Sequence, residues 1–214
     1  MDIYLAYAGN LEEFCVTFNC KFMFSPHYFS KRPIIKKIHY ALDNGCFMEY
    51  KNGDPWYEKL FYKTVKYVSE SEFVPDFVTV PDVVAKKKLS IIRSKEHITK
   101  IPENLTKYFV VQDKMTVDDV SWFLDKVDGL FIGGSIKWKW RAAPYWKKVS
   151  TDHGLKFHIG RVGTVKRLLD SYYIGADSVD GSGMTRNRKT HYVHIFRKTI
   201  REQKRLLEPK ETQI

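Results

Sequence analysis

The sequence predicts an α/β protein built as a small (β/α)8 barrel. Eight short apolar runs recur along its 214 residues, and most are followed by a segment with helical spacing. That order builds a parallel sheet. Several runs end in an acid, an amide or a glycine pair: Asp43, Asp82, Gln112, Gly133-Gly134 and Asp180. In a barrel such ends all open on one face, where catalytic groups gather. The chain is short for this fold, so some helices must be short or missing. An open doubly wound sheet is the alternative.

The first strand is predicted over 3–8, closing at Gly9-Asn10. A short helix follows over 11–18, with Leu11, Phe14, Cys15 and Phe18 on one face. The second strand, 21–25, is stopped by Pro26, and a basic loop carries Lys31, Arg32, Lys36 and Lys37. The third strand, 38–42, runs into Asp43-Asn44-Gly45-Cys46-Phe47. Turn signals at Asn52-Gly53 and Asp54-Pro55 precede a helix over 55–69, with Asp54 as N-cap. The fourth strand, 77–80, ends at Pro81-Asp82, before a basic helix over 86–99. The fifth, 108–111, ends at Gln112-Asp113. The next helix, 116–126, opens on Thr116 and Asp119, a capping box with Asp in place of Glu.

The sixth strand, 129–132, ends at Gly133-Gly134-Ser135, and an aromatic helix is predicted over 142–153. The seventh, 157–159, ends at Gly160-Arg161 and leads to a helix over 164–173. The eighth, 176–179, ends at Asp180, before a glycine-rich loop that becomes basic at Arg186 and Arg188. A last helix covers 191–207, and 208–214 reads as a frayed tail. One barrel domain over 1–207 is the simplest organisation.

Lys and Arg number 36 against 25 Asp and Glu, a net charge of +11. A chain this basic points to a polyanion, and nucleic acid comes first. The plain alternative is a basic, solvated surface. The cysteines, Cys15, Cys20 and Cys46, are odd in number and lack Cys-x-x-Cys spacing. They suggest a reduced cytoplasmic protein with neither a disulfide frame nor a zinc ribbon. The first residues lack the pattern of a signal peptide. No run approaches the roughly 18 apolar residues that mark a membrane span.

Two carboxylates at one site can divide the labour of glycosyl transfer: one attacks the anomeric carbon, the other moves protons. Asp180 and Asp43 are the candidates. Asp82 and Gln112 suit a flat heterocycle, since they can pair with its N–H and carbonyl edges. Gly133 and Gly134 let the backbone approach the ligand closely. The alternatives are structural. Asp180 could cap a helix or close a turn, Asp43 could form an Asx turn, and Asp82 could be an N-cap. Asp113 competes with Gln112, Cys46 could simply pack, and His158 reads as a satisfied core histidine. Lys137-Trp138-Lys139-Trp140-Arg141 alternates cations and indoles, as phosphate contacts with base stacking require. Its alternative is a segment with indoles in the core and lysines outside. Arg186, Arg188 and Lys189, then Arg197, Arg201 and Arg205, form a second basic region.

From about Asp43 to Arg188 these motifs resemble the tRNA-guanine transglycosylase family. The likeness is closer to its phage and bacterial DNA relatives, which place 7-deazaguanines in DNA. Asp180 followed by Thr185-Arg186-Asn187 looks like the family's nucleophile loop. Asp43-Asn44-Gly45-Cys46-Phe47 looks like its Asp-Ser-Gly-Gly-Phe loop, which holds the second catalytic aspartate. Asp82, Gln112 and Gly134 fall where the family reads the purine, and Phe47 where an aromatic stacks on it. Val162-Gly163-Thr164 matches the family's Val-Gly-Thr. The departures are specific. The tRNA enzymes' Cys-x-Cys-x-x-Cys…His zinc motif is missing, Gly181 replaces a cysteine, Gly160 replaces a methionine, and Arg161 replaces a glycine.

The resemblance implies base exchange in DNA: guanine leaves a flipped or single-stranded nucleotide and a free 7-deazaguanine, such as preQ0, enters. Asp180 is the implied nucleophile and Asp43 the proton carrier. Asp82, Gln112, Gly133, Gly134, Phe47 and Cys46 are the expected base contacts. Arg161, Arg186, Arg188, Lys137 and Lys139 are the expected contacts to nucleic acid. No cofactor, metal or membrane is expected, and a homodimer is compatible with the sequence. For a phage-encoded chain the location would be the host cytoplasm. Exchange in tRNA, nucleoside hydrolysis and a non-catalytic basic binding module stay open as alternatives.

Overall fold

The computed structural model describes residues 1–185 and 191–207, with side chains up to 203. Among the described residues the expected (β/α)8 barrel is observed. Eight parallel strands pair in sequence order and close on themselves: β1 (Asp2–Ala6), β2 (Lys21–Phe24), β3 (Tyr40–Leu42), β4 (Val78–Thr79), β5 (Lys107–Val111), β6 (Gly129–Ile132), β7 (Lys156–Ile159) and β8 (Ser178–Asp180). Closure is made by β8 on β1, with Val179 beside Ile3 and Asp180 beside Tyr4. The helices are α1 (Glu12–Thr17), α2 (Arg32–Ile35), α3 (Cys46–Asn52), α4 (Glu58–Ser69), α5 (Lys87–His97), α6 (Val117–Val120), α7 (Ile136–Asp152), α8 (Val165–Ile174) and α9 (His191–Leu207). None is long and apolar enough to cross a membrane.

The two-residue period of each strand divides its side chains between two cores. Ile3, Leu5, Leu130, Ile132, Phe157, Ile159 and Val179 pack in the large layer between strands and helices. The alternate positions Tyr4, Ala41, Phe77 and Tyr108 form a separate cluster inside the barrel, with Met23 and Phe131 against it. Phe77 and Tyr108 stack there at 4.1 Å. The N-terminal end is closed by polar pairs. The Tyr4 hydroxyl donates to Asp76 at 2.7 Å, and Lys21 bridges Asp76 and Asp2 at 2.9 and 2.7 Å. The opposite end is left to the strand-terminal residues.

Several helices differ from their predicted bounds. The helix predicted over 55–69 starts at Glu58, so Asp54 does not cap it. The Trp56 indole donates to the Asn44 carbonyl at 2.9 Å and draws the preceding residues out of helical register. The helix predicted over 116–126 is α-helical only through Val120 and continues as a 3-10 turn, Ser121–Phe123; its Thr116–Asp119 capping box is present. The aromatic helix begins six residues early, at Ile136 rather than Ala142. Asp113 accepts hydrogen bonds from the Ser135 backbone N–H (2.7 Å) and hydroxyl (2.5 Å), fixing the residue before the first turn. The predicted basic loop holds a short helix, α2, and a second, α3, begins at Cys46 inside the Asp43–Phe47 loop and runs on to Asn52. Left-handed glycines, Gly45 (φ 79°) and Gly53 (φ 75°), bracket α3, and their turn signal hid the helix between them.

Candidate active site

The strand ends meet in one cavity of about 540 Å³ at the C-terminal mouth of the barrel. Asp43, Asp82, Gln112, Gly133, Gly134 and Asp180 all line it, as do Phe47, Lys139 and Arg161. Its volume suits a small-molecule ligand.

Asp180 closes β8 on the inward face. Two residues before it, on the same face, Ser178 pairs with His158 of β7. His158 is fully buried; its Nε2 lies 3.0 Å from Asp180 Oδ1 and its Nδ1 2.8 Å from the Ser178 hydroxyl. The ring stacks on Phe131 at 4.4 Å. Burial pushes the imidazole below its ordinary pKa, against the opposing pull of Asp180. A neutral ring with its proton on Nε2 satisfies both contacts: it donates to Asp180 and accepts from Ser178. The Asp180 side chain keeps 16% of its surface, enough to meet a ligand from the cavity. The chain then passes so close to Val162 that a Cβ on Gly181 would collide with the Val162 carbonyl. That contact gives a steric reason for glycine after the acid.

Asp43 follows β3 and is half-buried. Its Oδ2 accepts from the Gly45 backbone N–H at 3.2 Å and its Oδ1 from the Thr79 hydroxyl at 3.4 Å. Burial, then the charges of Asp180 and Asp82, push its carboxyl up to about 7. A carboxyl near neutrality can hold or accept a proton at physiological pH.

Asp82 is 3% exposed and Gln112 2%. Asp82 Oδ1 accepts from Asn44 Nδ2 at 2.9 Å, and Oδ2 accepts from Gln112 Nε2. The Gln112 Oε1 in turn accepts from the Ala85 N–H at 2.9 Å. Burial raises the Asp82 carboxyl to about 6, although both amide donors oppose the shift. Each carboxylate oxygen keeps lone-pair capacity beyond these bonds. Asn44, which the sequence pattern does not mark as a site residue, ties this wall together. It also donates to the Val80 carbonyl at 2.9 Å, and its Oδ1 accepts from the Cys46 N–H at 2.9 Å.

The glycine pair is closely fitted. A Cβ on Gly133 would stand 2.9 Å from the Gln112 amide, and Gly134 has φ of 70°. Some of the backbone expected to face a ligand is already engaged. The Gly133 N–H donates to Val111 at 2.9 Å, and Arg161 donates to the Gly134 carbonyl. Arg161, itself left-handed at φ 58°, sets its guanidinium 5.2 Å from the Phe47 ring centre. It therefore bridges two sides of the mouth.

Lys139, expected at a phosphate, is instead 1% exposed, with its ammonium on the Gly160 carbonyl. Burial, then the Arg161 charge, lowers its pKa to about 7. The reason is the helix: α7 turns residue 139 inward, onto the stripe that also buries Ala143, Trp146 and Ser150. Trp138 packs against Gly134, and Trp140 lies under the Arg167 guanidinium at 4.3 Å. The segment is thus no alternating cation–indole surface. Lys137 is exposed on the first turn of α7 and does not line the cavity. Cys46 is buried, with its Sγ 3.8 Å from an Arg93 nitrogen, and is not among the residues that line the cavity. Arg186, Arg188 and the predicted tail 208–214 lie outside the described residues. Among the described residues no group of three or more His, Cys, Asp or Glu side chains is placed to hold a metal ion. The zinc motif of the tRNA-acting enzymes has no counterpart in this chain's three cysteines.

No protein-family model matches this chain, and no curated protein matches it.

Proposed function

We propose that this protein is a DNA guanine transglycosylase, exchanging guanine for a 7-deazaguanine through a covalent aspartyl–deoxyribose intermediate. One observation carries the reading: two carboxylates in unlike settings face one cavity whose wall is an acid–amide array. Asp180 is held by His158, Asp43 has a carboxyl raised to about 7, and Asp82 and Gln112 stand on the wall.

The chemistry balances without an oxidant or a cofactor. The Asp180 carboxylate attacks C1′ of the guanine nucleotide and the C1′–N9 bond breaks. The electron pair leaves with guanine, and Asp43 supplies the proton that neutralises it. The 7-deazaguanine enters the vacated space and gives its N9 proton to Asp43. N9 then attacks C1′ and the Asp180–C1′ bond breaks, restoring both carboxyl groups. Two inversions give retention. Asp82 and Gln112 offer acceptor and donor atoms to the purine edge, and Phe47 offers a ring face. A guanine stacked in a duplex is out of reach, so the nucleotide is flipped or unpaired.

The test is release of labelled guanine from DNA and, separately, from tRNA, with and without added 7-deazaguanine. Loss from DNA that requires both the added base and Asp180 supports the reading. Loss from tRNA alone would replace the substrate, and loss without any added base would point to a hydrolase.

A further inference from the structure

The basic segment that looked from the sequence like a nucleic-acid platform is folded into the protein, which raises the question of where a strand would lie. The mouth of the cavity supplies another surface. Helix α3 is held from beneath. Arg93 of α5 donates to both oxygens of Glu49 at 2.6 and 3.0 Å and to the Asp82 backbone carbonyl at 2.8 Å. The Asn44 side chain fixes the helix's first N–H. With its inner face so anchored, α3 turns Phe47, Tyr50 and Lys51 outward, at the i, i+3, i+4 spacing of one helix face. Tyr50 is 59% exposed, and its ring centre lies 6.1 Å from that of Phe47. Tyr28, at the end of the 3-10 turn after β2, is 66% exposed and lines the same cavity, as does Lys51.

We propose that Tyr28 and Tyr50 are stacking platforms for the unpaired nucleotides that flank the exchanged guanine, with Lys51 serving the adjoining sugar–phosphate backbone. The occupant is a single strand of DNA, and this identification rests on the transglycosylase reading. Two features of the mouth favour it. Large rings exposed beside a cavity gain little from the fold but present faces to any base. Lys51 and Arg161 bring positive charge to the same rim of a chain with net charge +11. Neither tyrosine is needed for the bond-making steps, so strand holding and chemistry separate.

The experiment measures binding, using the Asp180→Ala protein so that no turnover intervenes. A short fluorescent single strand of DNA is titrated beside its duplex and an RNA of the same sequence, at several salt concentrations. Tyr28→Ala and Tyr50→Ala each weaken single-strand binding roughly tenfold, within the range of one base–aromatic stack. The slope against salt stays unchanged in both. Tyr28→Phe and Tyr50→Phe retain affinity, because the ring remains. Lys51→Gln lowers the salt slope by about 0.7, the value of one phosphate contact on a single strand. Parental affinity in both alanine variants would overturn the platform, as would equal losses on duplex and single strand. Tighter binding of the RNA would overturn the choice of DNA. A protein that passes these tests but exchanges no base leaves the platform standing and refutes the transglycosylase reading.

Discussion

His158 Nε2 lies 3.0 Å from Asp180 Oδ1, and the far side of the same ring meets the Ser178 hydroxyl at 2.8 Å. The β7–β8 register builds this chain of contacts by setting His158 beside Ser178. A buried neutral imidazole can hold a carboxylate in place without cancelling its charge. His158→Gln is therefore expected to lower kcat for base exchange roughly a hundredfold, the scale of a misplaced reactive group, with little change in KM. Steady-state kinetics on one oligonucleotide checks this, and a rise in KM with kcat unchanged would assign His158 to binding.

Burial, then the charges of Asp180 and Asp82, push the Asp43 carboxyl up to about 7. Guanine departure needs its protonated form and deazaguanine attack its ionised form. Single-turnover guanine release should fall as pH rises through about 7, and attack by the incoming base should rise through the same value. Asp43→Asn removes both limbs.

The same group links stability to pH. Its folded pKa, about 7, lies above the unfolded carboxyl's value of about 4, so the folded state binds more protons between them. Its contribution to stability is full below about pH 4 and is lost as pH rises to about 7. Asp43→Asn escapes this loss. Urea unfolding should show the variant gaining on the parent steadily from pH 4 to pH 8.

Asn44 serves three partners at once: Asp82, the Val80 carbonyl and the Cys46 N–H. Asn44→Ala removes all three bonds from a buried wall and leaves Asp82 with the Gln112 amide alone. The expected cost is about 2–4 kcal/mol, measured by urea unfolding with an unchanged m-value. A cost near zero would mean that water replaces the amide.

Lys139 is buried with its pKa lowered to about 7, against about 10.4 unfolded. The fold prefers the neutral amine, so stability is lost as pH falls from about 10 to about 7. Lys139→Met should gain on the parent over that window, and thermal melts across it test the sign.

The strand order and the acids at strand ends were legible because they depend on local pattern. A period of two places Phe157 and Ile159 outward, which alone puts His158 inside the barrel. Asp180 was marked by an apolar run ending in an acid and glycines. Lys139 was misread because Lys-Trp-Lys-Trp mimics a period of two. Its true setting shows only in the longer spacing to Ala143, Trp146 and Ser150, an apolar stripe that begins with a charge. The work of Asn44 could not be read, since it depends on the pairing that brings the end of β3 beside that of β4. Tyr28 and Tyr50 were equally silent: a lone tyrosine carries no sign of which mouth it borders.

The most direct test of the central claim is to trap the sugar on Asp180. Protein mixed with guanine-containing single-stranded DNA, without added base, is quenched in acid, digested and mapped by mass spectrometry. The account predicts an adduct on the peptide that carries Asp180, reversed by guanine or by a 7-deazaguanine and missing in Asp180→Asn. An adduct on another residue, or base exchange that persists in Asp180→Asn, would contradict it.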